Sequence, residues 1–256
     1  MTKAVMFSVL SLLGMVAGVS AQDFPKEPGA TNVTFQAPDG TALKGYLARP
    51  TGSGDHPGVL LIHEWWGLNT DITRLADALA AEGFVVLAAD AYRGKVAADA
   101  ATAGQLTQST ASTAAPDLDA AYQYLSTLPG VRPGKVASWG FCYGGSQSQR
   151  LATRTPGLAA TVVFYGGGPP QKPEDLGVWS DKTPFLGVYG KKDGSIPADQ
   201  IRSFEGALES RGIPATVTRY PDVGHAFVKS TTFNQGGAAD RAWHEAVAFL
   251  KVTLGS

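Results

Sequence analysis

Three side chains in the sequence have the types and the chain order of a nucleophile, an acid and a base. Cys142 lies in the segment GFCYGG, Asp193 in GKKDG and His225 in GHAF. In such a set the imidazole accepts the proton of the nucleophile and later returns one to the leaving group, while the carboxylate fixes the histidine tautomer. The pattern indicates attack of a thiol on an electrophilic carbon such as a carbonyl.

The surroundings of Cys142 are those of a nucleophile elbow. The pattern G-x-Cys-x-G follows a predicted strand, Lys135–Trp139, and precedes a predicted helix, Ser146–Arg154. Such a turn is sharp, so side chains beside the nucleophile would collide with neighbouring backbone and glycine is required there. We also expect the start of the helix to favour the thiolate. The alternative is a glycine-rich turn that holds a buried, inert thiol.

Two carboxylates are candidates for the acid. Asp193 follows the predicted strand Phe185–Tyr189, and His225 follows the predicted strand Ala215–Tyr220. Asp222 is the alternative acid, but it lies very near His225 on the same loop. Asp193 is therefore the better candidate, because it approaches the imidazole from a different strand.

The other histidines do not predict a metal site. His56 lies in a polar segment and His244 on an amphipathic helix. His63 and Glu64 begin like the zinc motif H-E-x-x-H, but Gly67 stands where the second histidine ligand belongs. We therefore expect no metal and no cofactor.

Glu64 lies at the end of a predicted strand, where a side chain can approach the nucleophile. It comes just after the apolar run Pro57–Ile62, where hydrolases with a nucleophile elbow place the second amide of the oxyanion hole. A carboxylate there would lie close to the nucleophile. The residues alone leave a catalytic role and a supporting ion pair or loop hydrogen bond equally open.

The elements that must position these residues alternate between strands and helices. A hairpin around Asp39 and Gly40 is followed by an α/β pattern, which predicts a mostly parallel sheet with helices on both faces. Further strands are predicted at 57–62, 84–88, 135–139, 160–165, 185–189 and 215–220, and helices at 71–81, 117–128, 146–154, 198–211 and 238–254, the first of them capped by Asp71. The segment 97–115 is either a helix or a mobile cap.

Composition favours one exported domain. The 256 residues are 44% apolar and 17% charged with a net charge of −1, so the chain can bury a large core and offers no basic surface for nucleic acid. Residues 1–21 have the short basic start, the apolar run and the Val-Ser-Ala cleavage pattern of a signal peptide, and a membrane anchor is the weaker alternative. The mature domain would span residues 22–256. Its single cysteine cannot form an internal disulfide.

Taken together, four segments resemble the dienelactone hydrolase family. They are HEWWGLN at 63–69, GFCYGG at 140–145, GKKDGSIP at 190–197 and GHAF at 224–227. The resemblance implies an α/β-hydrolase fold and cleavage of a carboxylic ester or lactone through a thioester on Cys142. It also implies that Glu64 helps to deprotonate the thiol when substrate arrives, and that the backbone amides of Trp65 and Tyr143 form the oxyanion hole.

The resemblance also points to substrate-binding residues. Archetypal members of the family hold a substrate carboxylate with two arginines. Lys229 stands at one of these positions, and Arg93 lies near the other but one place out of register; for both, solvated surface charge is the alternative. With Trp65 and Tyr143, the side chains of Trp66 and Phe227 would line an apolar mouth. The expected partner is a small ester or lactone, with no nucleic acid, no membrane after signal cleavage and a monomeric chain.

Two other functions remain as alternatives at this point. A non-catalytic binding module on a hydrolase fold is one, although such proteins typically lose a member of the nucleophile, acid and base set. An oxidant-sensing thiol is the other, although the chain has no second cysteine to resolve an oxidised one.

Overall fold

A single eight-stranded sheet organises the part of the chain that the structure, a computed structural model, describes, residues 27–255. The predicted signal peptide, residues 1–21, lies outside these residues. The strands are β1 (Val33–Gln36), β2 (Ala42–Ala48), β3 (His56–Ile62), β4 (Val85–Ala89), β5 (Val131–Phe141), β6 (Ala160–Phe164), β7 (Phe185–Gly190) and β8 (Ala215–Tyr220). The helices are α1 (Thr70–Ala81), α2 (Ala100–Ser109), α3 (Ala114–Thr127), α4 (Tyr143–Ala152), α5 (Ala198–Ser210) and α6 (Gly237–Leu254).

The sheet is mostly parallel, as predicted, and has the α/β-hydrolase architecture. Its spatial order is β1-β2-β4-β3-β5-β6-β7-β8. β1 and β2 pair antiparallel, and β2 is antiparallel to β4, whereas the six strands from β4 to β8 run parallel. The carboxyl ends of these six strands therefore lie at one edge of the sheet, where chemistry is expected.

The central strands are buried on both faces. Every residue of β4, β6 and β7 is buried, and because successive side chains point to opposite faces, both faces must be covered. Helix α6 covers part of one face, where the ring centroids of Trp139 in β5 and Trp243 in α6 lie 5.0 Å apart. Fully burying a large apolar side chain contributes roughly 1.5–3 kcal/mol, so burial on both faces stabilises the sheet that carries the loops at its edge.

Three local expectations were wrong in detail. The cap of α1 is Asn69, whose side chain accepts from the Ile72 amide at 3.2 Å, and Asp71 instead lies inside the first turn. Helix α4 begins at Tyr143, directly after the cysteine, rather than at Ser146, since the two glycines there are held by tertiary contacts. His56 begins β3 instead of lying in a polar loop, and its ring contacts the Gly83 carbonyl at 3.2 Å.

The segment 97–115 is helical rather than irregular. It contains α2, which Asp99 caps by accepting from the Thr102 amide at 2.7 Å, and the start of α3. Ala103 and Leu106 of α2 pack with Trp66 and Tyr92, among others, in a small second core beside the main one. Between residues 27 and 255, no helix combines the length and the hydropathy that crossing a membrane requires.

Candidate active site

The structure brings Cys142, His225 and Asp193 together at the carboxyl edge of the sheet. Cys142 follows β5, Asp193 follows β7 and His225 follows β8. The Cys142 Sγ lies 3.0 Å from the His225 Nε2, and the His225 Nδ1 lies 2.6 Å from the Asp193 Oδ2. The three groups form one continuous chain of hydrogen bonds, although 83 residues separate the cysteine from the histidine in sequence.

Steric contacts explain the glycines around Cys142. The cysteine has φ 52° and ψ −112°, a conformation that a non-glycine residue adopts only when its surroundings hold it there. A Cβ on Gly140 would lie 1.9 Å from the Gly144 carbonyl oxygen, and a Cβ on Gly144 would lie 2.1 Å from the Ile62 carbonyl oxygen. Both positions are closed to any side chain, so the backbone can turn tightly enough to present the sulfur.

The thiol of Cys142 is protonated at neutral pH in the resting site. Burial, followed by the charge of Glu64, raises the pKa of Cys142 to about 12. The backbone N–H groups of Tyr143 and Trp65 donate to the sulfur and lower this pKa, but by less. The start of the helix does favour the thiolate through the Tyr143 amide, as expected, but desolvation of a charge outweighs the two amide dipoles and the net pKa is raised.

Glu64 is a buried carboxyl group with an unusual charge balance. Its residue is 4% exposed, and its Oε1 has no hydrogen-bond partner within the described part of the chain. Burial and the nearby charge of Asp71 raise the pKa of Glu64 to about 8, while the ammonium of Lys229 opposes this rise. At neutral pH the carboxyl group is thus mostly protonated, and a small change in its surroundings can ionise it.

His63 is a neutral histidine whose two ring nitrogens both form hydrogen bonds with the backbone, so neither is available to bind a metal. Its Nε2 accepts from the Ala91 amide at 3.2 Å, so its Nδ1 carries the proton and donates to the Glu64 carbonyl oxygen at 2.6 Å. Complete burial lowers the pKa of His63. No group of His, Cys, Asp and Glu side chains that could hold a metal ion occurs among residues 27–255.

Lys229 lies inside the protein instead of at the mouth of the site. Its residue is 7% exposed, and its charge acts on the Glu64 carboxyl group. The next residue, Ser230, donates to the Asp71 Oδ1 from its amide at 2.9 Å and from its hydroxyl at 2.6 Å. The loop that carries His225 and Lys229 is thereby tied to the first turn of α1.

The Arg93 guanidinium is held by two carboxylates, Asp117 and Asp39. Its guanidinium makes a two-pronged ion pair with Asp117, at 2.7 and 2.8 Å, and reaches Asp39 at 3.1 Å. The Asp117 side chain is 3% exposed, so this arginine neutralises a buried carboxylate on α3. The structure does not bring Arg93 into the cavity beside Cys142, contrary to the expectation that it binds substrate.

A cavity of about 430 Å³ opens over the sulfur. Its walls contain no carboxylate, ammonium or guanidinium group and are formed by Trp65, Thr107, Cys142, Tyr143, Ser146, Tyr165, Gly167, Ser195, Ile196 and His225. Trp66 and Phe227, both expected in the walls, stand behind them. Trp66 belongs to the small second core, and the Phe227 ring packs 5.6 Å from that of Tyr165.

Sequence reasoning missed Tyr165 and Ser195. Tyr165 directly follows β6 with a φ of 43°, its hydroxyl donates to the Val228 carbonyl at 3.0 Å, and its ring lies 5.1 Å from that of His225. Ser195 bonds to both Asp193 and His225. The position of Tyr165 at a strand end was the available signal, since the carboxyl ends of parallel strands meet.

The alternative acid, Asp222, does not reach the site. Its side chain is 85% exposed and lies 3.6 Å from the Lys192 ammonium. The Asp193 side chain is only 2% exposed and contacts the imidazole directly. Of the two carboxylates, Asp193 alone contacts His225 in this structure.

The sequence model of the Dienelactone hydrolase family matches residues 43–254. The chain belongs to the dienelactone hydrolase family. It is similar to "Protein usf" of Aquifex pyrophilus, with 33% identity over 227 residues that cover 84% of this chain and 96% of that protein. It is also similar to a Synechocystis protein named "Putative carboxymethylenebutenolidase", with 31% identity over 83% of this chain and 92% of the other.

Solved structures of the family have the same architecture. A dienelactone hydrolase-like promiscuous phosphotriesterase from metagenomic libraries superposes with a TM-score of 0.75 and 26% identity, covering 88% of this chain and 99% of that one. A Klebsiella pneumoniae protein described as a "Putative Dienelactone Hydrolase" gives a TM-score of 0.70 and 26% identity, covering 87% and 99%. The protein is an enzyme, a hydrolase of the dienelactone hydrolase type.

Proposed function

We propose that the enzyme cleaves small carboxylic esters or lactones through a covalent thioester on Cys142. The observation that carries this proposal is the chain from the Cys142 sulfur through His225 to Asp193, at 3.0 and 2.6 Å, on the wall of a cavity of about 430 Å³. A cavity of this size holds a small molecule. The binding-module alternative has no such support, because all three members of the set are present and in contact.

The proposed reaction has two halves. As the sulfur attacks the carbonyl carbon, Glu64 assists release of the thiol proton, which ends on the His225 Nε2, and the carbonyl electron pair moves onto oxygen. The tetrahedral intermediate collapses, the carbon–oxygen bond to the alcohol breaks, and the alcohol takes the proton from His225. Water then attacks the thioester with His225 as base, and the carbon–sulfur bond breaks to release the acid and the thiol. In a lactone the alcohol stays attached to the acyl group.

The amides of Trp65 and Tyr143 are proposed as the oxyanion hole. Both donate to the sulfur in the resting site, so both point into the space where the carbonyl oxygen would sit beside it. Donors aimed at the developing charge stabilise the transition state by about 3 kcal/mol each. Since they are backbone groups held by the elbow and the end of β3, their directions need no rearrangement.

Glu64 is proposed to assist ionisation of the thiol. A carboxylate whose pKa is raised to about 8 is a stronger base than an ordinary one. When substrate enters and expels water, the effect of nearby charges on the pKa of Glu64 changes. The ammonium of Lys229 favours the ionised carboxylate. This agrees with the role that the family resemblance implies for the position.

The cavity favours substrates without a carboxylate near the scissile bond. Trp65, Tyr143, Tyr165 and Ile196 supply apolar wall, and no arginine or lysine lines this cavity. An anionic group would lose its hydration there without gaining a counter-ion. We therefore propose neutral esters or lactones as the substrate class.

We also propose that residues 1–21 direct export and are removed before Gln22. The support is the sequence pattern of a short basic start, an apolar run and small residues at the cleavage site. Sequencing the amino terminus of the protein recovered from its native host tests this, and a mature protein beginning at Met1 would contradict it.

The test of the function compares wild type with Cys142→Ala on a panel of nitrophenyl esters and lactones. Wild type should turn over neutral esters, and rapid quenching should reveal a mass increase equal to the acyl group less one hydrogen. Because Cys142 is the only cysteine in the chain, that adduct reports a single thiol. Cys142→Ala should lose both signals while keeping its circular dichroism spectrum and unfolding midpoint. Ester turnover that survives in a folded Cys142→Ala protein overturns the proposal.

A further inference from the structure

Ser195 holds the acid end of the site through two hydrogen bonds to one oxygen. Its amide donates to the Asp193 Oδ1 at 2.9 Å, and its hydroxyl donates to the same oxygen at 2.5 Å. The other oxygen, Oδ2, contacts the His225 Nδ1 at 2.6 Å. Each carboxylate oxygen thus has its own partners, and rotation of the carboxylate would break both sets.

The burial of Asp193 makes these bonds important. Its side chain is 2% exposed, so the carboxylate depends on hydrogen bonds from protein groups, and a buried carboxylate without donors is costly. Ser195 is also a wall residue of the substrate cavity. Ser195, an exposed residue, therefore contacts both the carboxylate and the cavity.

The hydroxyl of Ser195 also acts on the tautomer of His225. The Ser195 Oγ lies 3.2 Å from the His225 Nδ1. Because a hydroxyl has one proton and this one is given to Asp193, the oxygen can only accept from Nδ1–H. Both neighbours of Nδ1 then require the proton on that nitrogen, which leaves the Nε2 lone pair facing the thiol.

We propose that Ser195 is a positioning residue of the catalytic machinery, which holds the Asp193 carboxylate and the His225 tautomer in the arrangement that accepts the thiol proton. This rests on the proposed function, since it assigns Ser195 a part in the thiol mechanism. It extends that function to a residue that the nucleophile, acid and base motif does not include.

The first test separates positioning from substrate binding. Ser195→Ala should lower kcat for a neutral nitrophenyl ester about tenfold, the effect of losing one charge-assisted hydrogen bond while the amide bond remains. The KM should stay within about twofold. Ser195→Thr keeps a hydroxyl on the same carbon and should restore most of the rate. A changed KM with an unchanged kcat, or no recovery in Ser195→Thr, contradicts the proposal.

The second test reads the histidine directly. The Nδ1–H proton of His225 should give a downfield nuclear magnetic resonance signal in wild type that shifts upfield or broadens in Ser195→Ala. Ser146→Ala is the matched control, because it removes a hydroxyl from the same cavity that bonds to the backbone carbonyls of Gly167, at 2.7 Å, and Cys142, at 3.4 Å, and not to Asp193 or His225. The signal should stay in place in that control. An unmoved signal in Ser195→Ala contradicts the proposal.

A double-variant cycle shows whether Ser195 acts through Asp193. In an Asp193→Asn background, adding Ser195→Ala should change kcat by less than about twofold, because the carboxylate that it positions is already gone. An undiminished tenfold loss there would contradict the proposal. The outcomes are separable from failure of the proposed function: if Cys142→Ala is inactive and Ser195→Ala is unaffected, only the role of Ser195 fails.

Discussion

A negative charge on Glu64 raises the pKa of the Cys142 thiol, and burial raises the pKa of both groups in the same direction. The pKa of the thiol rises to about 12 and that of the carboxyl group to about 8. At neutral pH the resting enzyme therefore holds a protonated thiol beside a mostly protonated Glu64 instead of a permanent thiolate. Since the thiolate is the form that oxidants attack, this arrangement also argues against an oxidant-sensing role for Cys142.

The charge of Glu64 can be detected through alkylation of the free enzyme. Glu64→Gln removes the negative charge that wild type carries above about pH 8, so it should lower the thiol pKa and speed iodoacetamide labelling there. The gain is about tenfold for each unit by which the thiol pKa falls. Below about pH 7 the wild-type carboxyl group is protonated and the two proteins should react alike. Intact mass measured over time gives both rates.

Two results would contradict this prediction. Equal labelling rates above pH 8 would mean that the charge does not reach the sulfur, and a difference that persists at low pH would mean that Glu64→Gln has altered the site in another way. Ester turnover provides the control, because the same variant should lose activity while its resting thiol becomes more reactive. If Glu64 assists ionisation of the thiol during turnover, the variant must show both lower ester turnover and faster alkylation of the resting thiol.

The pH dependence of the free energy of unfolding should reveal the raised pKa of the buried Glu64 carboxyl group. Its folded-state pKa of about 8 exceeds its ordinary value of 4.5, so between these limits the folded state keeps a proton that the unfolded state releases. The contribution of Glu64 to the free energy of unfolding then falls as pH rises, by up to about 1.4 kcal/mol per unit. Glu64→Gln cannot ionise at this position. Its free energy of unfolding in urea, relative to that of wild type, should therefore rise as pH increases between these two pKa values. A constant difference from pH 5 to pH 8 would refute the raised pKa.

Arg93 should matter for stability and not for substrate recognition. Arg93→Met leaves the buried Asp117 carboxylate without its two-pronged partner. We expect a loss of about 3 kcal/mol in the free energy of unfolding and an unchanged KM for esters with and without a carboxylate. Adding Asp117→Asn removes the unpaired charge and should recover part of the loss. A KM that rises only for carboxylate-bearing esters would restore Arg93 as a substrate ligand.

Lys229 should support Glu64 and not a substrate carboxylate. In Lys229→Met the pKa of Glu64 should rise above about 8, because an ammonium that opposes its rise is removed. Turnover at neutral pH should then fall for neutral and carboxylate-bearing esters alike, with the pH profile moved to higher pH. Parallel kcat and KM measurements on a matched pair of such esters decide between the roles. Selective loss of the carboxylate-bearing ester would show that Lys229 binds substrate.

Much of the fold followed from local patterns. The apolar runs that predict β3, β4, β6 and β7 are strands in the structure with bounds within two residues, because strands buried on both faces must be apolar throughout. The helix at the elbow was predicted to begin too late, at Ser146 instead of Tyr143, because its first residues include Gly144 and Gly145, which propensity counts against a helix. Contacts of those glycines with the backbone of β3 and of the segment after β6 decide the outcome.

By itself, the sequence determined the order and the strand-end positions of Cys142, Asp193 and His225, since both are properties of the chain read locally. Only the tertiary structure decided the charge state of the thiol, the partners of Arg93 and the contact of Ser195 with the acid. The physical reason is that desolvation and Coulomb energies depend on burial and on distances between groups far apart in the chain. The helix start favours a thiolate, but burial of the sulfur beside the carboxyl group of Glu64 outweighs that effect.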